Sequence, residues 1–401
     1  MTDKFSTLKG KRIVHAATSA NMLTAFGRVM ASRMVEEGVD IYFLASSEPI
    51  YNRPANIPEL TEMGGTPLTV PLVNNLRPLN IIRNIYLLWQ QFRQYKPAIV
   101  HTRGSVMGII GRISARLAGV PVIVHHQDDL HSRENQLAPW KRRLGGRIET
   151  WFANRSDHTF VVSNAVAQAA IDLGFDPARI TNVGHDINQA LDAHSISKGG
   201  LPRELDLLKE RGINKAHFVV GSITRLEAHK GIDILVEAAA IVHQKLPNAR
   251  FIVRGRGPEK DRLIGLVKRN KISDVFYIID DWLSDEDLVA LYQAFDVFVL
   301  PTKREGFGMA FAEAMLLGVV PIAPDIPPVN EVVLKHTGIL VSPSSKNFAD
   351  AIIWASENPE YLVKLRSAAK DEAVKRWGGT KAADMVLSTY CDLLTKKNVH
   401  R

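Results

Sequence analysis

The chain has 401 residues, of which 46% are hydrophobic and 23% charged; that is too long for one ordinary core and too apolar for extended disorder, so two domains are expected. A single cysteine, Cys391, excludes a disulfide framework and a thiolate metal site. The formal charge of +8 is uneven, with 21 Lys and Arg against 15 Asp and Glu in residues 1–190 and 29 against 27 in the remainder, so the first half suits nucleic acid, anionic lipid or a phosphorylated substrate.

The opening MTDKFSTLKGKRIVHAATSA lacks the length and cleavage pattern of a signal peptide, and no apolar run reaches the ~20 residues that span a bilayer. A cytosolic protein is expected, or one attached to a membrane surface from the cytosolic side. KRIVHAA (11–17) is a short apolar run suited to a buried parallel strand. Residues 22–37 follow with a helical spacing of apolar positions, then a strand at 39–46 and another at 67–72. A helix over about 79–95 leads to a strand at 98–102, and a helix over 105–118 stops at Gly119. Strands at 120–126 and 158–163 complete the first half, the latter running into a helix over Ala165–Leu173. Residues 188–203, polar and containing Gly and Pro, read as a linker. The second half repeats the rhythm, with strands at 218–223, 249–255, 275–279, 297–301, 319–324 and 338–341. Such alternation predicts an α/β protein with two Rossmann-like doubly wound domains in series, each a parallel sheet covered on both faces. Ligands bind beyond the carboxyl ends of such strands, and two facing domains would put the site in the cleft between them.

Three segments of the second half carry chemistry. In PTKREGFGMAFAEAMLLGVVPIAPD (301–325) a buried strand ends in a polar loop, glycines follow, and a helix begins near Met309. Glycines there let backbone N–H groups approach an anion, and the helix N-terminus adds its dipole. Glu305 and Glu313, eight apart, are suited to accept hydrogen bonds from sugar or ribose hydroxyls. In GSITRLEAHKGIDILVEAAAIV (221–242), Arg225 and Lys230 stand five apart in a loop between strand and helix, a spacing suited to a diphosphate. In FIVRGRGPEKDRL (251–263), Gly255 and Gly257 flank Arg256 at a strand end, a turn that a nucleotide tolerates and that ordinary strand–helix connections also use.

In this order and spacing, G-x-x-x-R-L-x-x-x-K-G, V-x-G-x-G-P-E and E-G-F-G-x-x-x-x-E-A-M-x-x-G-x-x-P-I-A resemble the retaining GT-B glycosyltransferases of family 4 (group 1). The resemblance covers the second half, with weaker support across 11–190. It implies an N-terminal acceptor-side domain (1–190), a nucleotide-sugar donor domain (191–376) and a last helix (377–401) packing back on the first domain. Arg225 and Lys230 would bind the donor diphosphate and stabilise it as it leaves. Glu305 would contact hydroxyls of the transferred sugar and Glu313 the ribose. Gly306, Phe307, Gly308 and Met309 would line the donor through their backbone. Gly255, Arg256 and Gly257, with the strand end at Ile279, would lie near the base. In the first half ARLAGVPVIVHHQDD resembles the segment whose histidine faces the transferred sugar; His126 aligns best and His125 is a one-residue alternative, while His101 and His131 read as structural or surface groups. VGHDIN (183–188) keeps Gly184 and Asp186 where relatives have N-G-x-D. Where many relatives have a Gly-Gly loop, this chain has TSANMLTAFG (18–27), in which Ser19, Ala20 and Asn21 offer backbone amides.

The implied activity is retaining transfer of a hexose or N-acetylhexosamine from a nucleotide sugar, with UDP favoured and GDP second. The acceptor would be a glycan or lipid-linked glycan of a bacterial surface polysaccharide. No metal or other cofactor is expected: Asp128-Asp129 and Asp280-Asp281 lie outside a D-x-D context and read as loop acids. The run LAPWKRRLGGRIETWF (137–152) combines Lys141, Arg142, Arg143 and Arg147 with Trp140, Trp151 and Phe152. It reads either as an interfacial segment at anionic lipid or as an ordinary amphipathic surface helix. A GT-B glycoside phosphorylase or nucleotide-sugar epimerase stays open as an alternative. A nucleic-acid-binding protein ranks below both, because no base-reading motif or aromatic stacking run occurs.

Overall fold

The computed structural model describes residues 5–48, 57–73, 77–130, 138–187, 206–281 and 283–399. The expected linker at 188–203 and His131 lie outside them. The chain divides into two compact units, residues 1–188 with 379–401 and residues 189–378.

In the first unit the strands are β1 (Arg12–Ala16), β2 (Asp40–Ser46), β3 (Thr66–Val70), β4 (Ile99–Arg103), β5 (Val122–Gln127), β6 (His158–Val161) and β7 (Ile180–Asn182). They form one parallel sheet in the order β3-β2-β1-β4-β5-β6-β7. Every residue of β4 and β5 is buried, as befits strands covered on both faces. Pro67 falls on the edge strand β3, where a missing N–H breaks no interior ladder. The helices are α1 (Ala20–Glu36), α2 (Ile57–Glu62), α3 (Pro78–Tyr95), α4 (Ser105–Leu117), α5 (Pro139–Ala153) and α6 (Asn164–Asp172). Ser163 caps α6 by accepting from the Val166 N–H at 3.2 Å. The short β7 and α2 are additions to the sequence reading, and β6 ends two residues before the expected 163.

The second unit holds β8 (Phe218–Ile223), β9 (Ala249–Arg254), β10 (Phe276–Ile279), β11 (Val297–Val299), β12 (Val320–Pro324) and β13 (Ile339–Val341), parallel and ordered β10-β9-β8-β11-β12-β13. Its helices are α7 (Asp206–Lys209), α8 (Ile232–Lys245), α9 (Lys260–Arg269), α10 (Asp285–Gln293), α11 (Met309–Leu316), α12 (Val329–Val332), α13 (Ser345–Glu357) and α14 (Pro359–Trp377). A final helix, α15 (Lys381–Val399), belongs to the first unit. Val386, Leu387, Tyr390 and Leu394 of α15 join Leu23 and Met34 of α1 in one core on the sheet. Leu88 and Phe92 of α3 join Met107 and Ile110 of α4 in a second core. Asp186 secures the start of α15: its carboxylate accepts from the Ala382 and Ala383 N–H groups at 2.9 and 2.8 Å. Burial raises that carboxyl to about 6, against the pull of the two N–H bonds.

In both sheets the strand order reverses once, between β1 and β4 and between β8 and β11. The crevice at such a reversal is where an open parallel sheet leaves room for a ligand. No helix among the described residues is long and apolar enough to cross a membrane.

Candidate active site

The reversal in the second unit brings together the loops after β8 and β11. Lys230 closes the first loop and Glu305 lies in the second. Their side chains meet at 2.7 Å and are only 12% and 10% exposed. The loops are stitched together by the Lys303 N–H, which donates to the His229 carbonyl at 2.7 Å. Gly231, at φ +70, makes the approach possible: a Cβ there would lie 1.9 Å from the Pro301 carbonyl oxygen. Arg225, in the same loop, is paired with Glu227 at 2.7 Å and is 62% exposed. Neither cation therefore stands unpaired, and both expected diphosphate ligands already hold a carboxylate. Glu227 also reaches His229, whose pKa is lowered by burial and then by the charge of Lys230.

Glu313 lies in α11, past the Gly308 N-cap, which sits at φ 104. It accepts a 2.7 Å hydrogen bond from the Tyr292 hydroxyl. Burial raises its carboxyl to about 7, the Tyr292 bond lowers it and Asp285 raises it further. Phe307 is 7% exposed and its ring packs edge-on to Trp377, so its side chain belongs to the core. Gly306 precedes it in the loop and Met309 opens the helix, partly exposed.

The turn after β9 lies against the loop after β8. The Leu226 N–H donates to the Arg256 carbonyl at 2.8 Å, and a Cβ on Gly255 or Gly257 would meet the Thr224 or Leu226 carbonyl oxygen at 1.8 or 2.2 Å. These glycines are required by packing between loops. Arg256 is exposed and its Nε donates to the Asp280 carbonyl at 2.5 Å. Ile279 is 2% exposed and its carbonyl accepts from the Gly255 N–H, so its side chain belongs to the core. Asp280 pairs with Lys260.

In the first unit a row of buried histidines crosses the reversal. His15 of β1 lies 4.9 Å from His101 of β4, His101 stacks at 5.6 Å on His126 of β5, and His126 stacks at 6.0 Å on His185, ring centroid to ring centroid. Burial holds all four well below the usual histidine range, and the charge of Arg103 adds to this at each. The Tyr390 hydroxyl bonds His101 Nδ1. Both ring nitrogens of His126 are buried without a hydrogen-bond partner. With His15, His101 and Arg103 it borders a cavity of about 20 Å³, room for one water. Arg103 is itself held by Asp128, at 3.0 Å from Nε to Oδ2. His125 faces the other way, and its Nδ1 lies 2.9 Å from the Thr102 hydroxyl. Strand register explains the difference: His101 is paired with Val124 and Arg103 with His126, so His126 shares the face of His101. Among the described residues no group of three or more His, Cys, Asp or Glu is arranged to hold a metal ion.

Lys230 and Glu305, both marked by their loop motifs, prove to be each other's partners. His15 and His185 at the histidine row and Tyr292 at Glu313 went unnoticed. An Ile-Val-His shared by β1 and β4 was the available signal for His15 and His101, whereas in β5 the same triplet ends on His125, which faces the other way.

Two family models match the chain: "Glycosyl transferase 4-like domain" over residues 26–184 and "Glycosyl transferases group 1" over residues 205–372. The chain is 25% identical over 337 residues, 81% of its length and 83% of the relative's, to a UDP-Gal:alpha-D-GlcNAc-diphosphoundecaprenol alpha-1,3-galactosyltransferase of Escherichia coli. It is 25% identical to the alpha-monoglucosyldiacylglycerol synthase of Acholeplasma laidlawii, covering 77% of this chain and 79% of that one. The Anabaena protein Alr3699/HepE, solved with UDP and glucose, superposes with a TM-score of 0.77 at 19% identity, covering 95% of this chain and 100% of that one. With both halves matched, both sheets doubly wound and paired charges at the reversal of the second, the chain belongs to the group 1 glycosyltransferases of family 4 and has the GT-B fold.

Proposed function

We propose that this enzyme transfers a hexose or N-acetylhexosamine from a nucleotide sugar, a UDP-sugar before a GDP-sugar, to a glycan or lipid-linked acceptor. Transfer retains the anomeric configuration and requires no divalent ion. The observation that carries this reading is the 2.7 Å Lys230–Glu305 pair at the strand reversal. An ammonium has three N–H donors, so Lys230 can keep Glu305 in place and still give donors to a diphosphate. Charge develops on that diphosphate as the sugar–oxygen bond breaks, and a preorganised cation stabilises it most at that moment. Glu305, oriented by Lys230, accepts from a hydroxyl of the transferred sugar. Glu313 accepts from the ribose, and Arg225 closes over the diphosphate by exchanging Glu227 for it. His126 has both ring nitrogens without a partner, against one each in His15 and His101, and so has the most hydrogen-bonding capacity of the three to offer a sugar. The E. coli relative, a UDP-Gal:alpha-D-GlcNAc-diphosphoundecaprenol galactosyltransferase, supports a UDP-sugar and a lipid-linked acceptor, and the Acholeplasma relative, a monoglucosyldiacylglycerol synthase, supports a lipid acceptor. The enzyme acts, on this proposal, at the inner face of a bacterial membrane, in surface polysaccharide synthesis.

Calorimetry of UDP, GDP and ADP with the wild type and Lys230→Ala, in excess chelator, tests the donor half. UDP binding that Lys230→Ala abolishes is expected. Absence of binding by all three nucleotides would overturn the donor site, and inverted product stereochemistry by NMR would overturn retention.

A further inference from the structure

A second cavity of the first unit, about 150 Å³, lies between α4 and the end of α5, separate from the residues described above. Ile113, Leu117, Trp151 and Phe152 give it apolar walls, and three arginines supply its charge. Arg112 is 7% exposed. It donates to the Gly108 carbonyl, lies 3.4 Å from the Ser156 hydroxyl and stacks 4.9 Å from the centre of the Phe152 ring. No carboxylate among the described residues is within ion-pair distance of it; Glu149 acts on it only from farther away. Burial lowers it to about 9, which leaves it charged at neutral pH. A buried cation with no carboxylate at contact distance is costly, and a bound anion offsets that cost. Arg116 and Arg155 are exposed residues of the same cavity, and Arg155 lies over the Trp151 ring at 4.2 Å.

The cavity continues into an exposed apolar stripe on α5. Trp140, Leu144, Ile148 and Trp151 recur at helical spacing and are 63%, 51%, 37% and 51% exposed. Trp151 belongs to both stripe and cavity. Residues 105–117 and 139–155 hold seven arginines and lysines against one acid, Glu149. Aromatic and aliphatic side chains amid cations match the headgroup boundary of an anionic bilayer. Inorganic phosphate would use the arginines and leave the walls bare, whereas a neutral hydrocarbon would leave the arginines unpaired.

We propose that this face of the first unit docks on an anionic bilayer, and that the α4–α5 cavity seats the phosphate headgroup of one anionic phospholipid on Arg112, Arg116 and Arg155. The surface is distinct from the donor site, so vesicle binding and nucleotide binding can fail separately.

The test is co-sedimentation with phosphatidylglycerol–phosphatidylcholine vesicles and with pure phosphatidylcholine vesicles. Arg112 is left intact because its loss threatens folding. The wild type is expected on the anionic vesicles alone. Arg116→Ser/Arg155→Ser should weaken that binding roughly 10- to 30-fold, and Leu117→Ser/Trp151→Ser roughly 10-fold. Lys364→Ser/Lys370→Ser, which removes two exposed cations from α14 of the second unit, should bind as the wild type does. Circular dichroism and UDP calorimetry check that each variant is folded. Absence of wild-type binding, or an unchanged arginine or Leu117/Trp151 variant, would overturn the proposal. So would release from the vesicles by millimolar inorganic phosphate at constant ionic strength, which would mark a free-anion site.

Discussion

The two units share a topology and fill its reversal point oppositely. In the second unit the reversal holds a charged pair, Lys230 with Glu305, and a further exposed pair, Arg225 with Glu227. In the first it holds stacked histidines that burial keeps neutral, with Arg103 already committed to Asp128. The second unit's reversal point carries cations that the proposed function assigns to a diphosphate. The other offers neutral hydrogen-bonding groups, which suit hydroxyls. Strand order fixes where a ligand can sit; the residues at the strand ends fix which chemistry is met there.

The contrast breaks if the charged pair is dispensable. Lys230→Ala should lower kcat/KM by roughly 10²- to 10³-fold, measured as sugar transfer from the UDP-sugar. Glu305→Gln should lower kcat comparably while leaving UDP affinity within a few-fold, since Lys230 stays. Equal losses of UDP affinity in both variants would assign the pair to holding the fold and not to separate ligand roles.

The next test separates the two adjacent histidines. His126→Ala should reduce kcat by roughly 10²-fold with UDP binding retained. His125→Ala loses a buried contact to Thr102 and should chiefly lower stability, by about 1–3 kcal/mol in urea unfolding. The reverse pattern would mean that the buried face carrying His15, His101 and His126 is structural.

A smaller effect comes from Glu313. Its carboxyl titrates at about 7, and a ribose hydroxyl donates best to the ionised form. With the proposed ribose contact, the nucleotide should favour the deprotonated group, binding should release a proton, and affinity should rise with pH through about 7. Between pH 6 and 8 the expected gain is roughly 10-fold, and Glu313→Gln should flatten it. Calorimetry in buffers of different ionisation enthalpy measures the proton directly.

The smallest expected effect lies outside both sites. Asp186→Ala should cost about 1–2 kcal/mol of stability by removing the cap of α15, read as a shift in urea midpoint with kcat unchanged. A large loss of activity at full folding would link that cap to the histidine row.

Most strands were legible because each is a short apolar run between turn signals, and the β8–β12 boundaries fell within two residues of expectation. β7 was missed because three residues, Ile180–Asn182, carry no pattern of their own and pair only through β6. The loop motifs named Lys230 and Glu305, but not that they meet, since 75 residues separate them. The choice between His125 and His126 was open in the sequence because both neighbours are buried. It turns on a register between β4 and β5 that no local spacing records. The role of Asp186 was hidden for the same reason: its partners lie 196 and 197 residues away.

That last contact has a consequence for how the protein is made. Tyr390 is completely buried beneath the first sheet, beside His101 and Phe160, and Val386 and Leu387 are as deeply enclosed. A ribosome delivers them only after every residue of the second unit has been synthesised. During translation the face of the first sheet that α15 covers must wait with its histidines and apolar side chains unsealed. The second unit, residues 189–378, has no such dependence, so its core can close while the first sheet still lacks α15.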